Sequence, residues 1–290
     1  MRLSPRSFIL LFILAIPFFL FESCNQVTDN AATNGDDNGG YASDASRIEW
    51  ATDDVISLAD AAGTVYNGAY MRTAGNTLGT CATVGTDTST GTTHYLVISI
   101  GSNNGGTSTG NDDCTCLDGR KRRGTIVVSY QGNYIDAGQV HTITFDNYFI
   151  NDIQLTGSIQ TLRVNDSLFP GNWYYNVVTN DSMNNNNQII AWNASTVRKW
   201  ITGYATPTNR NDDVFGVAGN GLLTRANGHQ FTFGISSPLQ VAIGCNFVQS
   251  GIVNISGYTG TRMLNYGNGG CDANSQLNIG NSVYNITLVP

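Results

Sequence analysis

The chain has 290 residues, a formal net charge of −7, 12% charged residues and 33 glycines. That balance argues against a nucleic-acid partner, because phosphate binding needs Lys and Arg to neutralise the backbone and release its counterions. Polarity carried by Asn, Thr, Ser and Gly rather than by Lys and Glu points to an exported β-rich protein with many turns, not to an intracellular helical enzyme.

Arg2 and Arg6 precede an apolar run from Phe8 to Phe21 that ends at Glu22-Ser23-Cys24. The run is short of the roughly 20 residues a spanning helix needs, and it lies behind positive charge at the N-terminus. It reads as a signal peptide over 1–23 followed by a lipidation cysteine, Cys24, with Phe21 and Glu22 giving a loose lipobox. Its removal leaves twelve cationic and twenty acidic side chains. Residues 24–43, rich in Asn, Asp, Thr, Ala and Gly, are expected to form a flexible lipid-anchored tether.

Residues 44–290 are expected to form a single β-rich domain that begins with one amphipathic helix over about 46–62. Ser46-Arg47-Ile48-Glu49 matches a capping box, Ile48, Ala51, Val55, Leu58, Ala59 and Ala62 recur at helical spacing, and Gly63 is the expected stop. One apolar stripe predicts one face packed on a sheet.

Beyond residue 80 the period changes to two. Strands are predicted at Tyr95–Ile100, Thr125–Tyr130, Val140–Phe149, Ile153–Val164, Ile189–Trp192, Gln230–Ile235, Leu239–Ile243, Gly251–Ser256 and Val283–Val289. A turn is expected over Asn147–Asp152 and an asparagine-rich loop over Met183–Asn187. Short connections favour antiparallel neighbours and an all-β meander curled into a barrel or a sandwich, with the helix packed on it.

Apart from Cys24, the cysteines are Cys81, Cys114, Cys116, Cys245 and Cys271. In an oxidising compartment the simplest arithmetic is two disulfides and one thiol: Cys245 with Cys271, and Cys81 with either Cys114 or Cys116. Cys-x-Cys without a second ligand pair lacks zinc spacing, so no metal and no cofactor is expected. Of the three histidines, His94, His141 and His229, the latter two sit at the start of strands, where such residues read as structural or solvated. No nucleophile elbow, H-E-x-x-H helix or phosphate loop is present. Asp112-Asp113 and Asp212-Asp213 read as turn residues rather than a calcium loop. Trp173-Tyr174-Tyr175 reads as core, because alternation buries at least one ring. Arg120, Lys121, Arg122 and Arg123 form the one dense cationic run, a candidate contact for an anion or partner and otherwise a solvated approach to a hairpin or an edge guard.

Asp118-Gly119-Arg120 with Arg123-Gly124-Thr125-Ile126-Val127-Val128, then Thr142-Ile143-Thr144-Phe145-Asp146-Asn147-Tyr148, and finally Leu264-Asn265-Tyr266-Gly267-Asn268-Gly269-Gly270-Cys271-Asp272 before Tyr284-Asn285-Ile286-Thr287-Leu288 resemble a family of uncharacterised lipoproteins from Bacteroidota. The likeness spans about residue 45 to the end and implies no catalytic residue. It implies one cysteine where this chain has Cys114 and Cys116, so the partner of Cys81 stays open. In that lineage Asp166-Ser167-Leu168 and Asp181-Ser182-Met183 resemble O-glycosylation acceptors, which makes Ser167 and Ser182 candidates. Only Asp29 follows Cys24 closely among acidic residues, so anchoring at the cell surface and anchoring toward the periplasm both stay open.

The expectation is an outer-membrane-anchored cell-envelope lipoprotein with a non-catalytic binding or structural role, its partner a glycan, lipid or protein and not nucleic acid. The alternative is a carbohydrate-active enzyme, which needs two carboxylates about 5–10 Å apart in a cleft; Asp146, Asp166 and Asp213 are the candidates.

Overall fold

The computed structural model describes residues 40–66, 81–86, 92–101, 113–169, 171–206, 209–257 and 260–288. The signal segment, Cys24, most of the tether and Asp112 lie outside the described residues. One helix, α1 (Gly40–Tyr66), precedes fourteen strands: β1 (Ala82–Thr86), β2 (Thr93–Ile100), β3 (Cys114–Thr115), β4 (Lys121–Gln131), β5 (Val140–Ile150), β6 (Ile153–Asn165), β7 (Trp173–Asn185), β8 (Gln188–Thr202), β9 (Val214–Arg225), β10 (Gln230–Ala242), β11 (Ser250–Gly257), β12 (Gly260–Asn268), β13 (Asn274–Ile279) and β14 (Ser282–Thr287). All pair antiparallel in one sheet, in chain order except that β3 lies off the path against β4. β1 and β14 are not paired with each other among the described residues, so the meander is one open sheet curled around the helix rather than a closed barrel or two facing sheets.

Alternation is the device that builds it. Trp173, Tyr175, Val177, Thr179, Asp181 and Met183 of β7 point inward, as do Ile190, Trp192, Ala194, Thr196, Arg198 and Trp200 of β8. The positions between them, such as Asn176, Asn180, Asn193 and Ser195, face out and give a polar outer surface. Among the described residues no helix is long and apolar enough to cross a membrane.

Two expected loops shrink to two-residue turns. Asn151-Asp152 and Asn186-Asn187 both take positive φ at both positions, the geometry that matches the twist of a tight hairpin. β5 therefore runs through Asn147 to Ile150, and Met183 is fully buried rather than part of an asparagine-rich loop. β10 is continuous across Pro238, where two strands were expected, because the proline sits in a bulge that asks no ladder hydrogen bond of it. β1, β3, β7, β9, β12 and β13 were not among the predicted strands; glycines at 216, 219 and 221 thin out the apolar pattern of β9.

The helix departs most from expectation. It begins at Gly40, so residues 40–43 belong to it rather than to the tether, and Ser46 with Glu49 lies inside it instead of capping it. Gly63 does not stop it. A Cβ on Gly63 would sit 2.4 Å from ring carbons of Tyr134, so the glycine is there for close approach. The polar stripe is buried as well as the apolar one: Asp44, Ser46, Glu49, Thr52, Asp53, Asp54, Ser57 and Asp60 are each less than a tenth exposed. One face on a sheet would leave such residues in water; a sheet curled around the helix cannot.

Candidate functional site

Four of the five buried helical acids, Asp44, Asp53, Asp54 and Asp60, meet partners from different parts of the sheet. Asp44 accepts Arg225 Nε from β9 at 2.7 Å. Asp53 receives Arg198 Nε from β8, and the same guanidinium donates to Ser57 Oγ at 2.7 Å. Asp54 binds Arg122 through Nη2 at 2.8 Å and also takes Arg120 Nη1. Asp60 accepts the Tyr175 hydroxyl at 2.7 Å, and Arg210 donates to the Ser57 carbonyl at 2.7 Å. Burial pushes the Asp54 carboxyl up, and Arg122 and Arg120 outweigh it and hold the group below the usual carboxylate range. For Glu49 the balance reverses: burial, then Asp53 and Asp181, outweigh the attraction of Arg198 and raise it to about 8. Burial likewise raises Asp181 to about 8.

The candidate cationic contact is thereby corrected. Strand alternation divides the run, placing Arg122 fully inside and leaving Lys121 exposed. Arg120 is buried with Asp54, Asn246 and the Cys245 carbonyl, and Arg122 is shared between Asp54 and Asp118. Arg123 pairs with Asp113 and Asp152 and covers the Phe149 ring at 3.8 Å. Three of the four cations thus serve the fold. The signal that would have shown this is the two-residue period itself, read through a charged segment.

The other candidates resolve as follows. Disulfides join Cys81 to Cys114 and Cys245 to Cys271, and Cys116 is a buried free thiol whose pKa burial raises. His141 is enclosed between Thr161 Oγ1 at 3.1 Å and the Tyr134 carbonyl at 2.9 Å, and burial lowers it to about 4. His94 and His141 flank the same Tyr130 ring, whereas His229 Nδ1 lies 3.5 Å from the Tyr41 hydroxyl elsewhere in the sheet. Trp173 and Tyr175 point inward, and Arg163 covers Trp173 at 4.4 Å. Ser167 stands exposed in the β6–β7 loop, whereas Ser182 lies mid-strand with its hydroxyl 2.8 Å from that of Thr156. Among the described residues no three His, Cys, Asp or Glu side chains gather as a metal site.

The acidic pair required of a glycosidase is not assembled from Asp146, Asp166 and Asp213. Asp213 is fully buried and accepts Trp200 Nε1 at 3.1 Å, whereas Asp166 meets Lys199 on the outer face at 2.6 Å. Thr144 pairs with Ser158, so Asp146 stands opposite about residue 156, and Asp166 is roughly ten residues, or about 30 Å, away along the sheet. The acids that do influence each other, Glu49 and Asp181, are sealed inside.

Among the described residues the helix, not a cavity, fills the space inside the curled sheet. The cavity between Trp50, Asp54, Leu58, Arg120, Arg210 and Val241 measures about 10 Å³, room for one water. Larger spaces lie outside. One groove of about 510 Å³ crosses the outer face from β8 to β12 over Ile201, Gly216, Pro238, Gln240, Ile252 and Asn265. A second, of about 550 Å³, lies over Thr93, Ser129, Gln131, Gln139, Val140 and Thr142.

Meander topology orders these features. The connections after β5, β7, β9, β11 and β13 have two to four residues, and those after β4, β6, β8, β10 and β12 have five to eleven. Because turns in a meander alternate, from β4 onward one rim carries short turns and the other carries loops; the connection from β2 to β4 over 101–120 also falls on the short-turn rim. The helix starts at the short-turn rim, where Tyr41 packs on Phe231 and Asp44 meets Arg225. It ends at the long-loop rim, beside Tyr134 and Tyr175. Both grooves lie near the strand ends that feed the long loops. No protein-family model, curated protein or solved structure matches the chain.

Proposed function

We propose that the chain is an exported lipoprotein of the kind it resembles in Bacteroidota, anchored through Cys24 at the outer membrane, and that it binds a cell-envelope or extracellular partner on the outside of its curled sheet without catalysing a reaction. The observation that carries this reading is the filled interior. Helix α1 occupies the space in which a calyx would hold its ligand, so recognition is left to the outer face and the loops.

The described chain enters at Gly40 on the short-turn rim, and the long loops and both grooves lie toward the opposite rim. Ser167, exposed in one of those loops, is the better placed of the two serines for a glycan.

The test is globomycin treatment of cells combined with protease shaving, with the native protein followed by immunoblot. A precursor that accumulates under globomycin, together with loss on shaving, is the expected result for a surface lipoprotein. A precursor with protection from protease places the protein inside the envelope and redirects the search to periplasmic partners. Absence of any precursor overturns the lipoprotein reading.

A further inference from the structure

We propose that the groove across β8–β12 is a binding site for a neutral, linear oligosaccharide. This rests on the reading of the chain as an outward-facing binding module and assigns that module a site and a ligand class.

The groove is made by the backbone. The β10–β9 register breaks between Gly234 and Leu239, the β10–β11 register between Ile235 and Gln240, and the β11–β12 register between Ser250 and Ile252. Each break bends its strand, and the three fall together around the groove. Gly251 holds the floor at a φ of +117°; a Cβ there would lie 2.7 Å from the Pro238 carbonyl oxygen, so only glycine allows the strands to come this close. Curling the sheet around the helix calls for bulges. It does not call for the side chains found over them.

None of the ten residues lining the groove is ionisable, although the chain carries a net charge of −7. A uronate, phosphate or ammonium group would find no counter-charge in it. Gln240, Asn265, Ser237 and Ser250 offer donors and acceptors together, which is what a hydroxyl needs, since it is both at once. The Asn265 Oδ1 accepts the Gly267 N–H at 2.9 Å, which fixes the orientation of that amide. Ile201, Pro238 and Ile252 supply apolar surface for the C–H face of a pyranose ring. The volume, about 510 Å³, lies within the usual range of small-molecule sites. An extended peptide is a poorer match, because strand addition needs an unpaired sheet edge and β9–β12 are each paired on both sides.

The full chain, purified from cells in detergent, is titrated by calorimetry with maltohexaose, cellohexaose, laminarihexaose, mannohexaose and chitohexaose, with an oligogalacturonate as the charged comparison. At least one neutral oligomer is expected to bind with a Kd below about 10 mM, and the oligogalacturonate to bind more weakly. Gln240→Ala with Asn265→Ala is expected to weaken binding at least about tenfold, while Gln240→Ala alone, which removes no hydrogen bond among the described residues, is expected to weaken it with an unchanged melting temperature. Ser250→Trp, which fills the groove, is expected to abolish it, and Asn180→Ala on the outer face of β7 to leave it unchanged. No binding by any neutral oligomer, equal binding of the oligogalacturonate, or binding insensitive to the groove variants overturns the assignment. The globomycin result is independent of all three, so failure of the groove and failure of the lipoprotein reading are told apart.

Discussion

Asp54, midway along α1, accepts Arg122 Nη2 of β4 at 2.8 Å with both side chains almost fully enclosed. Arg122 also reaches Asp118 at 2.7 Å, so it ties the helix to the turn before its own strand. A buried pair of this kind stabilises little relative to a well-packed apolar pair, but removing one partner strands the other. Asp54→Ala should therefore cost about 3–5 kcal/mol in urea unfolding, whereas Asp54→Leu with Arg120→Met and Arg122→Met should recover part of that loss, Asp118 being left without its arginine partners. A single-variant loss below about 1 kcal/mol would mean that the pair is solvated and that the helix is not enclosed.

Glu49 and Asp181 give the fold an alkaline weakness. Their ordinary values are 4.5 and 3.8, and both stand at about 8 in the folded state. Between those limits the folded chain binds more protons than the unfolded chain, so stability is full below pH 4, falls as pH rises, and has been lost once pH passes about 8. His141 acts in the opposite sense: its pKa drops from 6.5 to about 4, so its contribution is present above 6.5 and lost as pH falls toward 4. The interval from pH 6.5 to 8 therefore isolates the acids. Stability there should fall by about 1 kcal/mol or more per pH unit. Glu49→Gln with Asp181→Asn should flatten the slope and raise the midpoint of unfolding at pH 8. A slope unchanged in the double variant would contradict the buried, uncompensated placement of the two carboxyls.

The thiol chemistry makes a separate prediction. Peptide mapping without reduction should recover Cys81–Cys114 and Cys245–Cys271. Cys116, buried and with a raised pKa, should resist maleimide until denaturant is added. Recovery of Cys81 joined to Cys116 would show that the pairing of this segment is not unique.

Gly63 has no room for a side chain. Gly63→Ala sets a methyl against the Tyr134 ring, and overpacking of this kind costs about 1–3 kcal/mol. Gly63→Ala with Tyr134→Leu should lose less than the two separate changes together, which a double-mutant cycle in urea can measure. Independent effects would place Tyr134 away from the helix.

The outline of this architecture was legible in the chain. The alternation of β2, β4, β5 and β6 and the turn chemistry of Asn151-Asp152 mark an antiparallel meander without any tertiary information, because strand period and left-handed turn residues are local properties. The oxidising cysteine arithmetic was legible too, down to the pairing of Cys245 with Cys271. The partner of Cys81 was not, since Cys114 and Cys116 are equivalent in composition and differ only in which one β3 brings against the Cys81 segment.

What the sequence alone determined is the fold class: strands, their antiparallel order and a leading helix. Only the tertiary structure decided that the helix is enclosed on every side. Burial is a property of what surrounds a residue, and no local pattern distinguishes an Asp53 facing water from an Asp53 facing Arg198 across 145 residues of chain. The same long-range closure turned Arg120 and Arg122 from a surface patch into interior partners of Asp54. It also brought Ile201, Gln240, Ile252 and Asn265, scattered over four strands, into one uncharged groove on the outside.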